Sequence, residues 1–330
     1  MKISAIPLFL LLLLLFSVSF KKQTLLIAFY NVENLFDTED DPGTNDNAYL
    51  PQSRLQWTDS KYRKKLEGIA KVIDVLDPEV AGLCEVENAK VLKALINHPA
   101  LKNKSYGFVH QESEDVRGID VGFIYKKQIF KPLFYQSYSV NRSFENINIV
   151  SRDILLVKGL QLGDTIHYLV NHWPSRRSGG AKKSEIKRIA HAMLAREIVD
   201  SILSTDPKAR ILLLGDFNDE PWDESLSIML LAKRKPDKVD ENELINPFFE
   251  LPGNIGSHKY NKKWYKYDQI IISESLEKNY VKKSASVFHP IWLHYNNNFQ
   301  NGPFRTYNGN KYQGGYSDHF PVFIELAYYY

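Results

Sequence analysis

The chain carries one cysteine, Cys84, so no intramolecular disulfide staples it. Its neighbours Ala81, Leu83 and Val86 mark Cys84 as a small buried residue rather than a catalytic thiol. Charge of one sign is also missing. A formal net charge of +3 over 330 residues is too little to argue for a polyanionic partner, because such attraction needs a clustered basic face. No segment repeats, and no break in composition marks a domain boundary.

Long apolar runs are absent but for one. Lys2 precedes Ile6, Leu8 to Leu15 and Phe16, and Ser17 and Ser19 flank Val18, the pattern of a signal peptide over 1–20 cleaved near Ser19 or Phe20. An uncleaved anchor is the alternative, although the unbroken run falls short of the ~20 residues a span needs. No cysteine near the cleavage point offers a lipid attachment. The expectation is an exported protein, periplasmic or extracellular, with 21–330 as one domain, no stable protein partner, and membrane contact only through an uncleaved N-terminus.

What remains is a core-forming composition, 44% hydrophobic and 25% charged. Ile211-Leu212-Leu213-Leu214 reads as a strand buried on both faces, ended at once by Gly215, Asp216 and Asn218. The same design recurs along the chain. Thr24 to Tyr30 runs into Asn31-Val32-Glu33-Asn34, and Glu79 to Cys84 into Glu85. Thr165 to Asn171 leads to His172, the strand after Tyr267 begins at Asp268, and Asp318-His319 precede the last strand. A helix with Leu66, Ile69, Ala70, Ile73 and Leu76 on one face is capped by Asp59 or Ser60, and a second spans Ala89 to Asn97. A third carries Ile186, Ile189, Ala190, Met193, Leu194, Ile198 and Ile202. Strands and helices mix throughout with several hairpins, which predicts an α/β (α+β) arrangement with much antiparallel sheet.

Carboxylates, amides and two histidines at strand ends suit metal-assisted attack on phosphorus, with Asp216 orienting a water and Asn218 donating to a phosphoryl oxygen. Glu85 with Asp318, helped by Asn31 or Glu33, suits Mg²⁺ or Mn²⁺, because hard cations take oxygen ligands. A closed zinc site fits this set less well.

In these pieces the chain resembles the endonuclease/exonuclease/phosphatase superfamily. The matching motifs, in the family's order, are Asn31-Val32-Glu33-Asn34, Cys84-Glu85-Val86, Asn171-His172-Trp173-Pro174, Gly215-Asp216-Phe217-Asn218, Tyr267-Asp268-Gln269-Ile270 and Ser317-Asp318-His319-Phe320-Pro321-Val322. The resemblance implies a four-layered αββα sandwich, two mostly antiparallel sheets packed face to face with helices outside. It makes Glu85 the principal metal ligand, with Asn31, Glu33 and Asp318 near the metal or its waters. Asp216 would activate water, Asn218 would hold a phosphoryl oxygen, and His172 would stabilise developing charge. His319, oriented by Asp268, would contact phosphate or act as acid or base. Many members carry Asn two residues before the equivalent of His172. Here that place is Val170, and Asn171 stands beside it as a substrate contact. Arg117 sits where members place a phosphate-contacting side chain, a structural pair with Asp120 being the alternative. Glu87 reads as surface, and His258 and His289 as structural.

The machinery does not choose the substrate. Arg176, Arg177, Lys182 and Lys183 beside His172, with Lys262, Lys263, Trp264 and Tyr265 before Asp268, form either a basic rim with stacking surfaces or a solvated face. The first suits DNA or RNA. The resulting expectation is a divalent-metal phosphodiesterase, an endonuclease or exonuclease. A phosphatase or phospholipase-C-like hydrolase of inositol, sugar or lipid phosphates is the alternative, and a non-catalytic binding module the third reading.

Overall fold

The computed structural model describes residues 22–144, 147–177, 180–234 and 242–329. The signal peptide expected over 1–20, and Ser178 and Gly179 of the basic loop, lie outside them. The elements in chain order are β1 (Lys22–Leu35), α1 (Asp59–Leu76), β2 (Val80–Val86), α2 (Ala89–Ile96), β3 (Tyr106–His110), β4 (Asp120–Lys126), β5 (Phe130–Phe144), β6 (Ile147–Gln161) and β7 (Asp164–His172). Then come α3 (Ala181–Thr205), β8 (Arg210–Asp216), β9 (Ala232–Lys233), β10 (Leu244–Ile245), β11 (His258–Tyr260), β12 (Lys263–Tyr265), β13 (Asp268–Ser273), β14 (Ser286–Val287), β15 (Tyr307–Asn308), β16 (Lys311–Tyr312) and β17 (Val322–Tyr329).

One sheet has the order β14-β17-β1-β2-β4-β3 and the other β5-β6-β7-β8-β13-β10-β9. Period-two alternation in the middle strands decides how they stack. Tyr168, Val170, Leu212, Leu214, Ile270 and Ile272 point between the sheets and join Leu25, Ile27 and Phe29 of β1 in one core. The intervening Leu169, Ile211, Leu213 and Ile271 face the other way and pack with Ile186, Ala190, Ile198 and Val199 of α3. The result is the expected αββα sandwich. Gly82 sits where a Cβ would come within 3.1–3.2 Å of Phe29, Val170 and Leu214, so its missing side chain lets the two sheets close.

Two crossovers place the polar strand ends on one rim. β1 pairs parallel with β2 across α1, and β7 parallel with β8 across α3. β17 and β13 run antiparallel to β1 and β8. The C-terminal ends of β1, β2, β7 and β8 therefore share an edge with the N-terminal ends of β13 and β17.

Some local expectations shift. The cap of α1 is Thr58, without a side-chain cap bond, and Asp59 is already helical. Its fully buried residues are Lys65, Ile69, Ala70, Val72 and Ile73, so a lysine joins the inward face, while Leu66 and Leu76 pack against the core at its margin. The turn between β6 and β7 is centred on Leu162-Gly163, both at positive φ, rather than on Gly163-Asp164. Glu87 is buried, not surface, because the acidic loop folds over it and Asp37 N–H donates to its Oε2 at 2.7 Å.

Candidate active site

Four non-glycine residues at the rim hold left-handed backbone: Glu33, Asn34, Glu85 and Asn218, with φ between 51° and 61°. Each such conformation costs about 1–2 kcal/mol. Glu33 and Asn34 lie where the β1–β2 register slips, between Asn31 and Leu35, and Glu85 where β2–β4 slips, between Cys84 and Val86. These irregularities re-aim single side chains at the ends of otherwise regular strands.

Asn31 is the hub. Its Nδ2 donates to Glu85 Oε1 at 3.3 Å and to Asp216 Oδ2 at 3.0 Å, while its Oδ1 accepts from Glu33 N–H at 2.9 Å. Glu85 Oε2 accepts from Asn34 N–H at 3.0 Å. His172 Nε2 faces the same carboxylates, 3.7 Å from Glu85 and 3.9 Å from Asp216. Asp216 Oδ1 accepts from Asn218 N–H, and Asn218 Nδ2 donates to Trp173 O, both at 3.0 Å. From the antiparallel side, Asp268 binds His319 Nδ1 at 2.6 Å, and His319 Nε2 lies 3.9 Å from Asp216 and 4.0 Å from Asp318. Ser317 fixes that turn by donating to Asn31 O at 2.7 Å and accepting from His319 N–H at 3.0 Å.

Burial drives the electrostatics. The Asp216 carboxyl is pushed up to about 7, by desolvation first and then by the Asp268 charge. Glu33 is likewise raised to about 7 by burial and by Asp318. Burial disfavours the His319 imidazolium, but the Asp268 and Asp216 carboxylates outweigh it and hold its pKa well above the ordinary value. His172 goes the other way: burial, then the Arg152 and Arg117 cations, keep it neutral. Beneath the site, Lys65 is buried on α1, donates to Thr306 Oγ1 and Tyr316 O at 2.6 Å each, and lies 3.7 Å from Glu33.

The set fits a hard divalent cation. Among the described residues no lysine or arginine nitrogen lies within ion-pair distance of Glu85, whose Oε1 meets only the Asn31 amide and a neutral imidazole. Glu85, Asn31 and Asp318 would hold the ion, with Asp216 beside it for water; Glu33, expected among the ligands, is taken by Thr306 N–H and Lys65 beneath the cleft, and oxygen donors of this kind favour Mg²⁺ or Mn²⁺.

The cluster floors a cleft of about 860 Å³. Arg117, Arg177, Lys187 and Arg305 stand around it, and Arg152 lies buried in its wall. A ladder of rings runs from the rim to the floor: Tyr265 on Tyr267 at 4.9 Å, Tyr267 on His258 at 5.8 Å, His258 beside His319 at 4.5 Å.

Most residues expected at the site meet here, but two substrate contacts do not. Asn171 is fully buried, donates to Leu169 O and accepts from Trp173 Nε1, so it braces β7 instead of facing the cleft. The Trp264 ring packs on Phe320, and Tyr265, its neighbour in β12, takes the cleft wall. Arg176 lines the cleft but is held by Asn218 O, Asp219 and Asp223, leaving Arg177, over Tyr260, as the freer cation. Arg117 pairs with Asp115 and not Asp120. His258, expected to be structural, lines the cleft with Nδ1 3.0 Å from Asp318 O. Arg152, which donates to His172 O and Trp173 O, and Arg305, 3.9 Å from Asp318, carried no sequence signal. Ion pairs to residues remote in sequence leave no local pattern.

A two-sheet sandwich with carboxylates and imidazoles gathered on one rim is the architecture of a metal-dependent phosphoester hydrolase. The model of the endonuclease/exonuclease/phosphatase family matches residues 26–328, and the chain belongs to that family. Its members are divalent-metal-dependent phosphoesterases. No curated protein matches the sequence significantly. Among solved structures, an endonuclease/exonuclease/phosphatase family protein from Bacteroides thetaiotaomicron is similar at 16% identity and a TM-score of 0.59, covering 94% of this chain and 97% of that one. Truncated Caenorhabditis elegans TDP2 is similar at 14% and 0.58, over 92% and 97%. The mannosyl-6-phosphatase Bt3783 of Bacteroides thetaiotaomicron VPI-5482 is similar at 16% and 0.55, over 92% and 99%. At these identities the likeness is one of fold.

Proposed function

We propose that the protein is a divalent-metal-dependent phosphodiesterase acting on nucleic acid. The observation that carries this reading is the cleft itself, in which cations and stacked tyrosine faces surround a carboxylate–imidazole floor. Phosphates along a strand suit Arg117, Arg177 and Arg305, and bases suit the open faces of Tyr260 and Tyr265, with Tyr267 stacked behind Tyr265.

A bound cation would polarise the phosphoryl oxygen and neutralise charge gathering on it. Asp216, at about 7, accepts a proton from water near neutral pH without wasting basicity. His319, held protonated by Asp268, donates from Nε2, and His172, neutral, offers a hydrogen bond to a phosphoryl oxygen. Asn218 is positioned by the Asp216 carboxylate and by Trp173 O to present its amide beside them.

A second reading has one specific support. A neighbouring pocket of about 380 Å³, sharing Arg305 with the cleft, is lined by Lys259, Lys262, Gln300, Asn301, Asn308 and Gln313, donors that suit a polyhydroxylated phosphate ester. Side-by-side assay of single-stranded and duplex oligonucleotides against sugar and inositol phosphates separates the two. Cleavage of oligonucleotides with Mg²⁺ or Mn²⁺ supports the first reading, and phosphate release from the small esters alone would replace it with the second. Export is proposed on the N-terminal apolar run alone, and the N-terminal residue of secreted protein tests it.

A further inference from the structure

Outside the cleft, the residues closing β3 and opening β4 form a second ligand set. His110 ends β3, Asp120 begins β4, and Glu112 is on the connection between them. One ligand atom from each of the three lies within 4.8 Å of the others. None of the three lines the catalytic cleft.

Two of these side chains are buried and unspent. His110 and Asp120 are each 3% exposed, and their Nε2 and Oδ2 atoms face one another at 3.2 Å, yet neither has a hydrogen-bond partner. The separation is close to the roughly 3.3 Å between two ligands of a tetrahedral ion bound at ~2.05 Å. Asp120 Oδ1 is fixed by Ser113 N–H at 3.0 Å, which leaves Oδ2 as the free oxygen. Glu112 Oε1 lies 3.7 Å from His110 Nδ1, the ring nitrogen that does not face Asp120; its side chain is 66% exposed and would swing to the Nε2 side to complete the set, leaving an entry path from solvent. Among the described residues no lysine or arginine lies within ion-pair distance of Asp120 or Glu112.

We propose that His110, Glu112 and Asp120 form a second divalent-cation site, one imidazole and two carboxylates with a fourth position for water, selective for Zn²⁺ over Mg²⁺. A nitrogen donor in a three-ligand set favours zinc, whereas magnesium keeps to oxygen and its own waters. The site is structural. It pins both roots of the 111–119 loop, which carries Asp115, Val116 and Arg117 to the cleft wall and is also tied by Asn45 N–H to Val116 O, by Ser137 N–H to Gln111 Oε1 and by Arg152 near Asp115. An ion there would hold the Arg117 guanidinium on its Asp115 partner at the cleft mouth.

The test is zinc stoichiometry on chelator-stripped protein by isothermal titration, with cobalt substitution read by its visible absorption. The Glu85→Gln variant, weakened at the cleft, should still bind one Zn²⁺ per chain. Glu112→Gln, an exposed change that spares folding, should weaken that zinc at least tenfold, and His110→Gln should abolish it and the cobalt band. Should His110→Gln not fold, Glu112→Gln decides alone. Zinc binding that is unchanged in Glu112→Gln, or absent from Glu85→Gln, would overturn the assignment.

Discussion

Asp216 and Asp268 are direct partners across the antiparallel β8–β13 pair, and the imidazole of His319 reaches both, with Nδ1 2.6 Å from Asp268 and Nε2 3.9 Å from Asp216. The two carboxylates divide the work. Asp268 is spent on orienting and charging the imidazole, which leaves Asp216 free to meet water.

Replacing Asp268 by Asn removes the charge but keeps the shape. Catalysis should fall by about 10²–10⁴, the range that positioned proton transfer supplies. The alkaline limb of the pH–rate profile should move to lower pH, because His319 loses the carboxylate that raises it. An unshifted limb would remove His319 as the proton donor.

Chelated protein should lose stability as the pH rises from 6.5 to 8.5. Asp216 and Glu33 sit at about 7 and Glu87 at about 8 in the fold, all through burial and all above ordinary carboxylates. Their contribution is full below the ordinary carboxylate value and is lost as pH rises through 7 to 8. His319, also raised, adds the same sign. His172 and His258 are depressed, so their opposing effect falls below about 6.5 and outside the window. Thermal melts in EDTA check this: Tm should fall across the window, Asp216→Asn should flatten the fall, and Mg²⁺ should restore it.

Lys65 is a buried cation under the site, and Lys65→Met should destabilise the fold by roughly 3 kcal/mol by leaving Thr306 Oγ1 and Tyr316 O without their donor and Glu33 without its cation. The loss should shrink at pH 5, where Glu33 takes up a proton. Urea unfolding at pH 8 and pH 5 measures both, and an equal loss at the two would deny the coupling.

Neighbours on β7 should separate cleanly. His172→Ala should cut kcat by about 10²–10³ with little change in Tm, as loss of one oxyanion donor does. Asn171→Ala should instead lower Tm, since its amide bonds Leu169 O and Trp173 Nε1 inside the fold. Paired kinetics and melts decide, and a catalytic defect in Asn171→Ala at unchanged stability would restore it to the site.

That pair also shows what was legible in the sequence. Polar groups closing apolar strands are readable because each motif is local, and the structure brings Glu85, His172, Asp216, Asp268 and His319 together on one rim. Alternation then assigns faces: Asn171 shares a side with Leu169, toward α3, while His172 shares one with Val170. The same rule exchanges Trp264 for Tyr265. The β11–β12 hairpin was hidden because its turn, Asn261-Lys262, takes two positive φ values without a glycine, and with it went the placement of His258. Lys65 and Arg152 reach the site across the fold, and no spacing announces that.

The most direct measurement is hydrolysis of bis(p-nitrophenyl) phosphate by residues 22–330 with Mg²⁺, with Mn²⁺ and with EDTA, beside the Glu85→Gln and Asp216→Asn variants. Turnover that needs the metal and falls at least a hundredfold in both variants is the expected result. Turnover that survives EDTA, or that persists in either variant, would contradict a metal-dependent phosphoesterase centred on this rim.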